Sequence, residues 1–316
     1  MLQLRRLVFA LAGSLALAAP ALAGKLAIVI DDFGYRPSTE NQVLAMPAEV
    51  SVAVLPNAPH AREMATKAHN QGHDVLIHLP MAPLSKQPLE KDTLRPDMSS
   101  EEIARIIREA VNDVPYAIGM NNHMGSAMTS SLPGMQKVMA ALAHYNLFFL
   151  DSMTIGNSQA MRAAAGTGVK VIKRKVFLDD TQNEADIRYQ FNRAVTLARR
   201  NGSAIAIGHP HPSTVRVLQQ MLYSLPPDIT LVRASSLLNE PQVDTSRPNA
   251  APPSQTAPAA PAAPRNPFRG VKLCKPKRQP EPVYATRFFT VISESVSESA
   301  VVSYFRHQWQ GWGKQS

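Results

Sequence analysis

The chain has 316 residues, a formal net charge of +9 and one cysteine, Cys274. A single cysteine cannot form an internal disulfide, so burial of side chains must hold the fold together. Residues 241–316 carry ten Lys and Arg against four Asp and Glu, so most of the positive charge lies there. The central region, residues 24–240, is nearly neutral and is therefore excluded as a nucleic-acid-binding surface.

Residues 1–23 have the pattern of a secretory signal peptide. Two arginines precede an apolar stretch at 7–19, and Ala21-Leu22-Ala23 forms a small-residue cleavage site. The pattern predicts cleavage before Gly24 and export to the periplasm or cell envelope. An uncleaved membrane anchor is the alternative interpretation.

Residues 24–240 alternate between strand-like and helix-like segments. Helical patterns include 99–114, where Ser99 and Glu102 form a capping box, and 184–201, which Gly202 ends. Apolar, β-branched runs predict strands at 26–30, 50–55, 74–78, 116–120, 147–151, 169–173, 203–208 and 229–233.

This alternation predicts an α/β domain with a mostly parallel sheet. Up to eight units favour a distorted (β/α) barrel of about seven or eight strands over an open doubly wound sheet. No glycine-rich phosphate loop follows the first strand, which argues against a dinucleotide site.

The C-terminal part of the chain differs in composition. Residues 241–282 hold 11 of the 26 prolines, which predicts a disordered, basic Pro/Ala-rich linker. Residues 283–316 form a tail to which the sequence assigns no role. The positive charge of this region is either a solvated surface or a means of contact with an anionic envelope surface.

Polar residues directly follow most of the predicted strands. In a parallel barrel these strand ends meet at one face, where active sites form. Carboxylates and imidazoles that converge there indicate metal ligands with a proton-transfer group. The residues concerned are Asp31, Asp32, His78, Asn121, Asn122, His123, Asp151, Ser152, Asp179, Asp180, His209 and His211.

Six segments carry a family resemblance. "AIVIDDFG", "GHDVLIHLPM", "NNHMGS", "FLDSMT", "KVFLD" and "AIGHPHP" together resemble the divergent polysaccharide deacetylases, a branch of the carbohydrate-esterase deacetylase superfamily. The resemblance covers about residues 25–239. It implies a distorted (β/α) barrel and a metal-dependent hydrolase that removes N- or O-acetyl groups from an envelope polysaccharide.

The resemblance also implies the roles of individual residues. Asp31 matches the general base and His209 the general acid. Asp32 and His78 match two metal ligands, but the position of the family's next histidine ligand is Ala82.

His123, at the next strand end, is the expected replacement for that ligand. One carboxylate and two imidazoles favour zinc as the divalent metal. Asp151 and His211 are candidates for orienting His123 or His209. Asn121 and Asn122 could ligate the metal, bind sugar or brace the loop.

Two other functions remain open at the level of sequence. One is a non-catalytic envelope protein that keeps the fold and binds metal and sugar. The other is a metal phosphoesterase, for which Lys173, Arg174 and Lys175 could clamp a phosphate. The presence of both Asp31 and His209 favours the hydrolase.

Overall fold

A computed structural model of the protein describes residues 23–240. The predictions made for the signal peptide up to residue 22, for the linker and for the tail concern residues outside this range. The α/β domain predicted for 24–240 lies within it.

Parallel strands form one curved sheet in the order β6-β5-β4-β3-β2-β1-β8-β7, and β9 pairs with β1. The predicted α/β architecture of a distorted barrel is confirmed, and each predicted strand overlaps an observed one. The addition is the two-residue β7. The strands are β1 Gly24–Phe33, β2 Ser51–Val54, β3 Val75–Met81, β4 Gly119–Met124, β5 Phe148–Asp151, β6 Val171–Lys173, β7 Val176–Phe177, β8 Ser203–Gly208 and β9 Ile229–Leu231.

Helices connect the strands and cover the outside of the sheet. Ser99 caps the helix Ser100–Asp113, since its Oγ accepts a hydrogen bond from the Glu102 N–H at 3.1 Å, and Gly202 ends the helix Glu184–Asn201 with φ +79°. No helix formed by residues 23–240 is long and apolar enough to cross a membrane. The helices are α1 Pro37–Leu44, α2 Ala61–Asn70, α3 Ser100–Asp113, α4 Ser126–Ser130, α5 Leu132–Leu142, α6 Ala160–Ala163, α7 Glu184–Asn201 and α8 Pro212–Met221.

The alternation of side chains along the strands creates two apolar layers. Leu26, Ile28 and Ile30 belong to the large layer under the helices. Ala27 and Val29 belong to a smaller cluster on the other face of the sheet, inside the curve. The inner face is therefore apolar at its base, and polar side chains can collect only where the strands end.

Arg174 lies where the barrel is open, between β6 and β7, which do not pair with each other in the described sheet. Its Nε and Nη2 donate to the carbonyls of Ser152 and Met153 at 2.5 and 2.7 Å. Its guanidinium lies 3.6 Å from the centre of the Phe177 ring. Arg174 thus bridges the gap in the barrel. Its guanidinium is already engaged in these contacts, whereas the phosphoesterase hypothesis would need it to bind a phosphate.

Candidate active site

A β-bulge in β1 brings two adjacent carboxylates to the same side of the sheet. Ile30 and Phe33, three residues apart, both belong to the outer layer, but their partners on β2 are only two residues apart. Strand β1 therefore contains one extra residue relative to β2. The extra residue is accommodated by Asp32, whose φ of +59° is left-handed. Asp31 and Asp32 can therefore both face the inner cavity, where simple alternation would separate them.

His123 reaches the same cavity from the neighbouring strand. In the β3–β4 ladder, His78 lies beside Asn121 and Pro80 lies beside His123. Because residues two apart share a face, the side chains of His78, Asn121 and His123 point the same way. Ala82, which stands at the position of the family's second histidine, is buried and offers no ligand atom.

Asp32, His78 and His123 form a triangle of candidate metal-ligand atoms. The Asp32 Oδ1 lies 3.2 Å from both the His78 Nε2 and the His123 Nδ1, and the two nitrogens are 3.0 Å apart. Ligands about 2.0–2.1 Å from a tetrahedral zinc ion stand about 3.3 Å from one another. Three atoms with this spacing can therefore share one ion.

The surroundings of the Asp32 carboxylate also favour a metal ion at this point. Its Oδ1 is buried and accepts no hydrogen bond from residues 23–240, although two imidazole nitrogens face it. A buried oxygen without a partner is costly. A divalent cation between the three residues would remove that cost, so the donor set fits a metal ion.

Asn121 fixes both the tautomer of His78 and the position of Asp31. Its Oδ1 lies 2.7 Å from the His78 Nδ1, and its Nδ2 donates to the Asp31 Oδ1 at 2.8 Å. Because the amide oxygen can only accept, His78 carries its proton on Nδ1 and presents the lone pair of Nε2 to the ligand triangle. Asn121 therefore acts behind the ligands and is not one of them.

The two adjacent carboxylates have opposite pKa shifts. Burial raises the pKa of Asp31, which is 2% exposed, and the charges of His78 and His209 only partly oppose this. Burial also acts on Asp32, but the neighbouring His123 and His78 outweigh it and hold its pKa far below the usual range. Asp32 is thus suited to stay anionic as a ligand, whereas Asp31 is suited to accept a proton.

Asp179 holds His209 in place. The Asp179 Oδ1 lies 2.9 Å from the His209 Nδ1, and its Oδ2 accepts hydrogen bonds from the His209 N–H and the Thr214 hydroxyl, both at 2.7 Å. The His209 Nε2 consequently faces the cavity, 4.0 Å from the Asp32 Oδ2. The strand-end pattern included Asp179 but did not assign it this role.

The charge on His209 follows from these contacts. Burial lowers the pKa of His209, but the hydrogen bond and charge of Asp179, together with Asp31 and Asp32, raise it to about 9. Asp179, His209 and His211 also have the spacing of a metal cluster. Both Asp179 oxygens already accept hydrogen bonds, however, so this group serves better as a proton donor held by its carboxylate.

Glu90 is a further site residue, and no sequence pattern indicates it. It lies in the segment between β3 and α3, and its Oε1 is 3.4 Å from the His123 Nε2. The opposite ring nitrogen of His123, Nδ1, faces Asp32. A carboxylate behind a ligating histidine orients the ring and raises its basicity.

Three other predicted site residues have different surroundings. Asp151 shares the outer face of β5 with Phe149, and its Oδ1 accepts a hydrogen bond from the Met153 N–H at 2.8 Å. The structure gives it no contact with His123 or His209, because consecutive strand residues face opposite sides. Asp151 was predicted to orient His123 or His209, but the carboxylates beside these two rings are those of Glu90 and Asp179.

Asn122 and His211 lie beside the site and not in the triangle. The Asn122 Oδ1 accepts a hydrogen bond from the Ser152 N–H at 2.9 Å and its Nδ2 donates to the Met124 carbonyl at 2.6 Å. This pattern matches the bracing role among the three that the sequence left open. The His211 ring is tilted against that of His209, with centres 5.7 Å apart.

These side chains border an open cleft of about 200 Å³. Its lining includes Asp32, His123 and His209, together with Glu90 and His211. Asp32, His123 and His209 are therefore reachable from solvent, whereas Asp31 and His78 are buried and do not line the cleft.

Comparisons with known proteins identify the family and the fold. A family model described as divergent polysaccharide deacetylase matches residues 28–238. The uncharacterized protein YibQ of Escherichia coli is 77% identical over 315 residues, which cover 100% of this chain and 97% of that protein. An uncharacterized protein of Haemophilus influenzae is 47% identical over 224 residues, covering 71% and 80% respectively. The crystal structure of an uncharacterized Agrobacterium tumefaciens protein aligns with a TM-score of 0.64 at 20% identity, over 69% of this chain and 91% of that one.

Proposed function

The chain belongs to the divergent polysaccharide deacetylase family, and we propose that it is a metal-dependent hydrolase that removes N- or O-acetyl groups from an envelope polysaccharide. One observation carries the proposal. Asp32, His78 and His123 place three ligand atoms within 3.0–3.2 Å of one another, directly beside a buried carboxylate and a charged histidine. Family membership supports the proposed reaction class, and this arrangement supports the choice of the residues that would perform it.

The ligand triangle would hold one divalent ion, with zinc favoured by its donor set. When bound, such an ion supplies a Lewis acid that polarises an acyl carbonyl and makes water more acidic. The chain contributes the preorganisation. Asn121 accepts from the His78 Nδ1, so the neutral ring would present its Nε2 to the ion, and Glu90 lies behind His123, whose Nδ1 faces the same point.

Asp31 would act as the general base. Its raised pKa gives it more affinity for a proton than an ordinary carboxylate has, and a group whose pKa approaches the working pH is a better base catalyst. The Asn121 amide holds its Oδ1. The proton that Asp31 would accept comes from water attacking the acetyl carbonyl.

His209 would act as the general acid. With a pKa of about 9 it stays protonated at neutral pH, and Asp179 aims its Nε2 into the cleft. From that position it can donate a proton to the departing amine of an acetamide or the departing oxygen of an acetyl ester. Asp179 then stabilises the imidazole in the required tautomer.

The place of action proposed for this hydrolase is the periplasm or cell envelope. The proposal rests on the signal-peptide pattern of residues 1–23, and an acetylated envelope glycan would be the substrate encountered there. Fractionation of cells that produce the full chain would locate it. Recovery in the cytoplasmic fraction would remove this part of the proposal.

Metal analysis combined with acetate release tests the proposed function. The purified full chain should contain one divalent ion per molecule, release acetate from acetylated envelope glycans and lose that activity on chelation. Asp31→Asn should keep the metal and lose turnover by about 10²–10⁴-fold, while Asp97→Asn, at an exposed carboxylate paired with Arg95, should match the wild type. A wild-type protein that binds metal and glycan but releases no acetate would refute the hydrolase.

A further inference from the structure

The loop that follows β1 is held by a buried carboxyl group. Glu40 is fully buried in α1, and its Oε1 accepts hydrogen bonds from the backbone N–H groups of Tyr35 and Arg36 at 3.0 and 2.6 Å. Its Oε2 has no hydrogen-bond partner within residues 23–240. Burying a carboxyl group with one oxygen unsatisfied is costly, so the position of this loop is maintained at the expense of stability.

The start of the loop is fixed as well. Gly34 has a φ of +112°, and a Cβ at this position would lie 2.5 Å from the Ala58 Cβ. The Gly34 carbonyl accepts a hydrogen bond from the His60 N–H at 3.0 Å. The backbone of 34–36 is thus preorganised from both sides, which is the condition for a binding loop that loses little entropy on association.

The side chains that this loop presents line the cleft of the candidate active site. Tyr35 is 50% exposed, and it lines the same cleft as Arg36, His209 and His211. Glu90 lines the same cleft. Neither it nor any other carboxylate within the described range 23–240 lies within salt-bridge distance of Arg36. The cleft therefore presents a guanidinium whose charge is not neutralised by an ion pair within this range.

We propose that Arg36 binds an anionic substituent of the glycan, so that the preferred substrate is an acetylated amino sugar that also bears a carboxylate. A guanidinium offers paired donors that match a carboxylate in two-point geometry. Tyr35, next to it, offers an apolar ring face to the sugar. This inference rests on the proposed function for the reaction, but it concerns binding and can be measured without turnover.

A pair of disaccharides separates the charge from the sugar. N,N′-diacetylchitobiose is neutral, and the disaccharide of N-acetylglucosamine and N-acetylmuramic acid adds one lactyl carboxylate. Binding of each is measured by titration calorimetry on the metal-loaded full chain carrying Asp31→Asn, which suppresses turnover. In this background the anionic disaccharide should bind about tenfold more tightly than the neutral one.

Adding Arg36→Gln should abolish that preference and leave the binding of the neutral disaccharide unchanged. Arg200→Gln is the matched control, because Arg200 is exposed in the last turn of α7, next to the start of β8 and so at the opposite end of the sheet from the cleft. Equal affinity for the two disaccharides before the Arg36 change, binding of neither, or a preference that survives Arg36→Gln would each overturn the inference. Failure of the hydrolase would look different, since the wild type would then release no acetate while the charge preference persisted.

Discussion

Replacing Asp179 with Asn tests the source of the charge on His209. The isosteric amide oxygen can still accept a hydrogen bond, but the negative charge beside the imidazole is lost. Since Asp179 is the first of the groups that raise the pKa of His209 against burial, this pKa should fall from about 9 toward 6.5. That difference corresponds to about 3 kcal/mol of interaction between the charged imidazole and its surroundings.

The consequence for the proposed acid is large near neutral pH. At pH 7.5 the protonated fraction of His209 should drop from about 97% to about 10%. The alkaline limb of the turnover profile should accordingly move from near pH 9 toward pH 6.5. Asp180→Asn is the matched control, because Asp180 is the exposed neighbour in sequence.

Proton NMR titration of the metal-free protein gives the pKa of His209 directly, with the resonance assigned by its absence in His209→Gln. Stability gives an independent check with a defined sign. Because the folded-state pKa is raised, the stabilisation by His209 is complete below pH 6.5 and is lost as the pH rises through about 9. The difference in unfolding free energy between wild type and Asp179→Asn should therefore shrink between these values. A His209 pKa near 6.5 in the wild type, or one unchanged in Asp179→Asn, would refute the reasoning.

Three further predictions concern the metal and its support. His78→Ala should abolish stoichiometric metal binding, measured by elemental analysis after dialysis; retention of one ion per chain would remove His78 from the ligand set. Asn121→Ala should weaken metal affinity about 10–100-fold, because neither the His78 tautomer nor Asp31 is then held; an unchanged affinity in chelator competition would contradict this. Glu90→Gln should weaken it by a similar or smaller factor, whereas Glu63→Gln, which alters an exposed pair with His60 at 2.9 Å, should have no effect. Equal affinities of the two glutamate variants would show that Glu90 does not orient His123.

The parts of the site that were predictable lie at strand ends with a clear apolar run before them. Asp31, His78 and His209 each follow such a run, and parallel topology brings the ends of these strands together. The family resemblance then assigned roles to them. His123 was reached in the same way, as the next strand-end imidazole after a position occupied by Ala82.

The parts that were missed depend on contacts with no local pattern. Asp179 was among the predicted strand-end residues, but its role beside His209 was not predicted, because this contact joins residues 30 positions apart in the sequence. Glu90 lies in a connecting segment, and its contact with His123 is distant in sequence. Asp151 was placed at the correct strand end but on the wrong face, because a short apolar run does not indicate which of its residues point inward.

The bulge in β1 makes the number of residues between Ile30 and Phe33 matter independently of their identity. A substitution at Asp31 or Asp32 changes one functional group and leaves the path of the chain intact. A deletion of either residue would instead restore simple alternation, so a single carboxylate would remain inside and the loop at 34–36 would enter the cleft rotated. The path of the chain should therefore tolerate substitutions in this segment but not changes in its length. A homologue could lose the carboxylates here by substitution while keeping its fold.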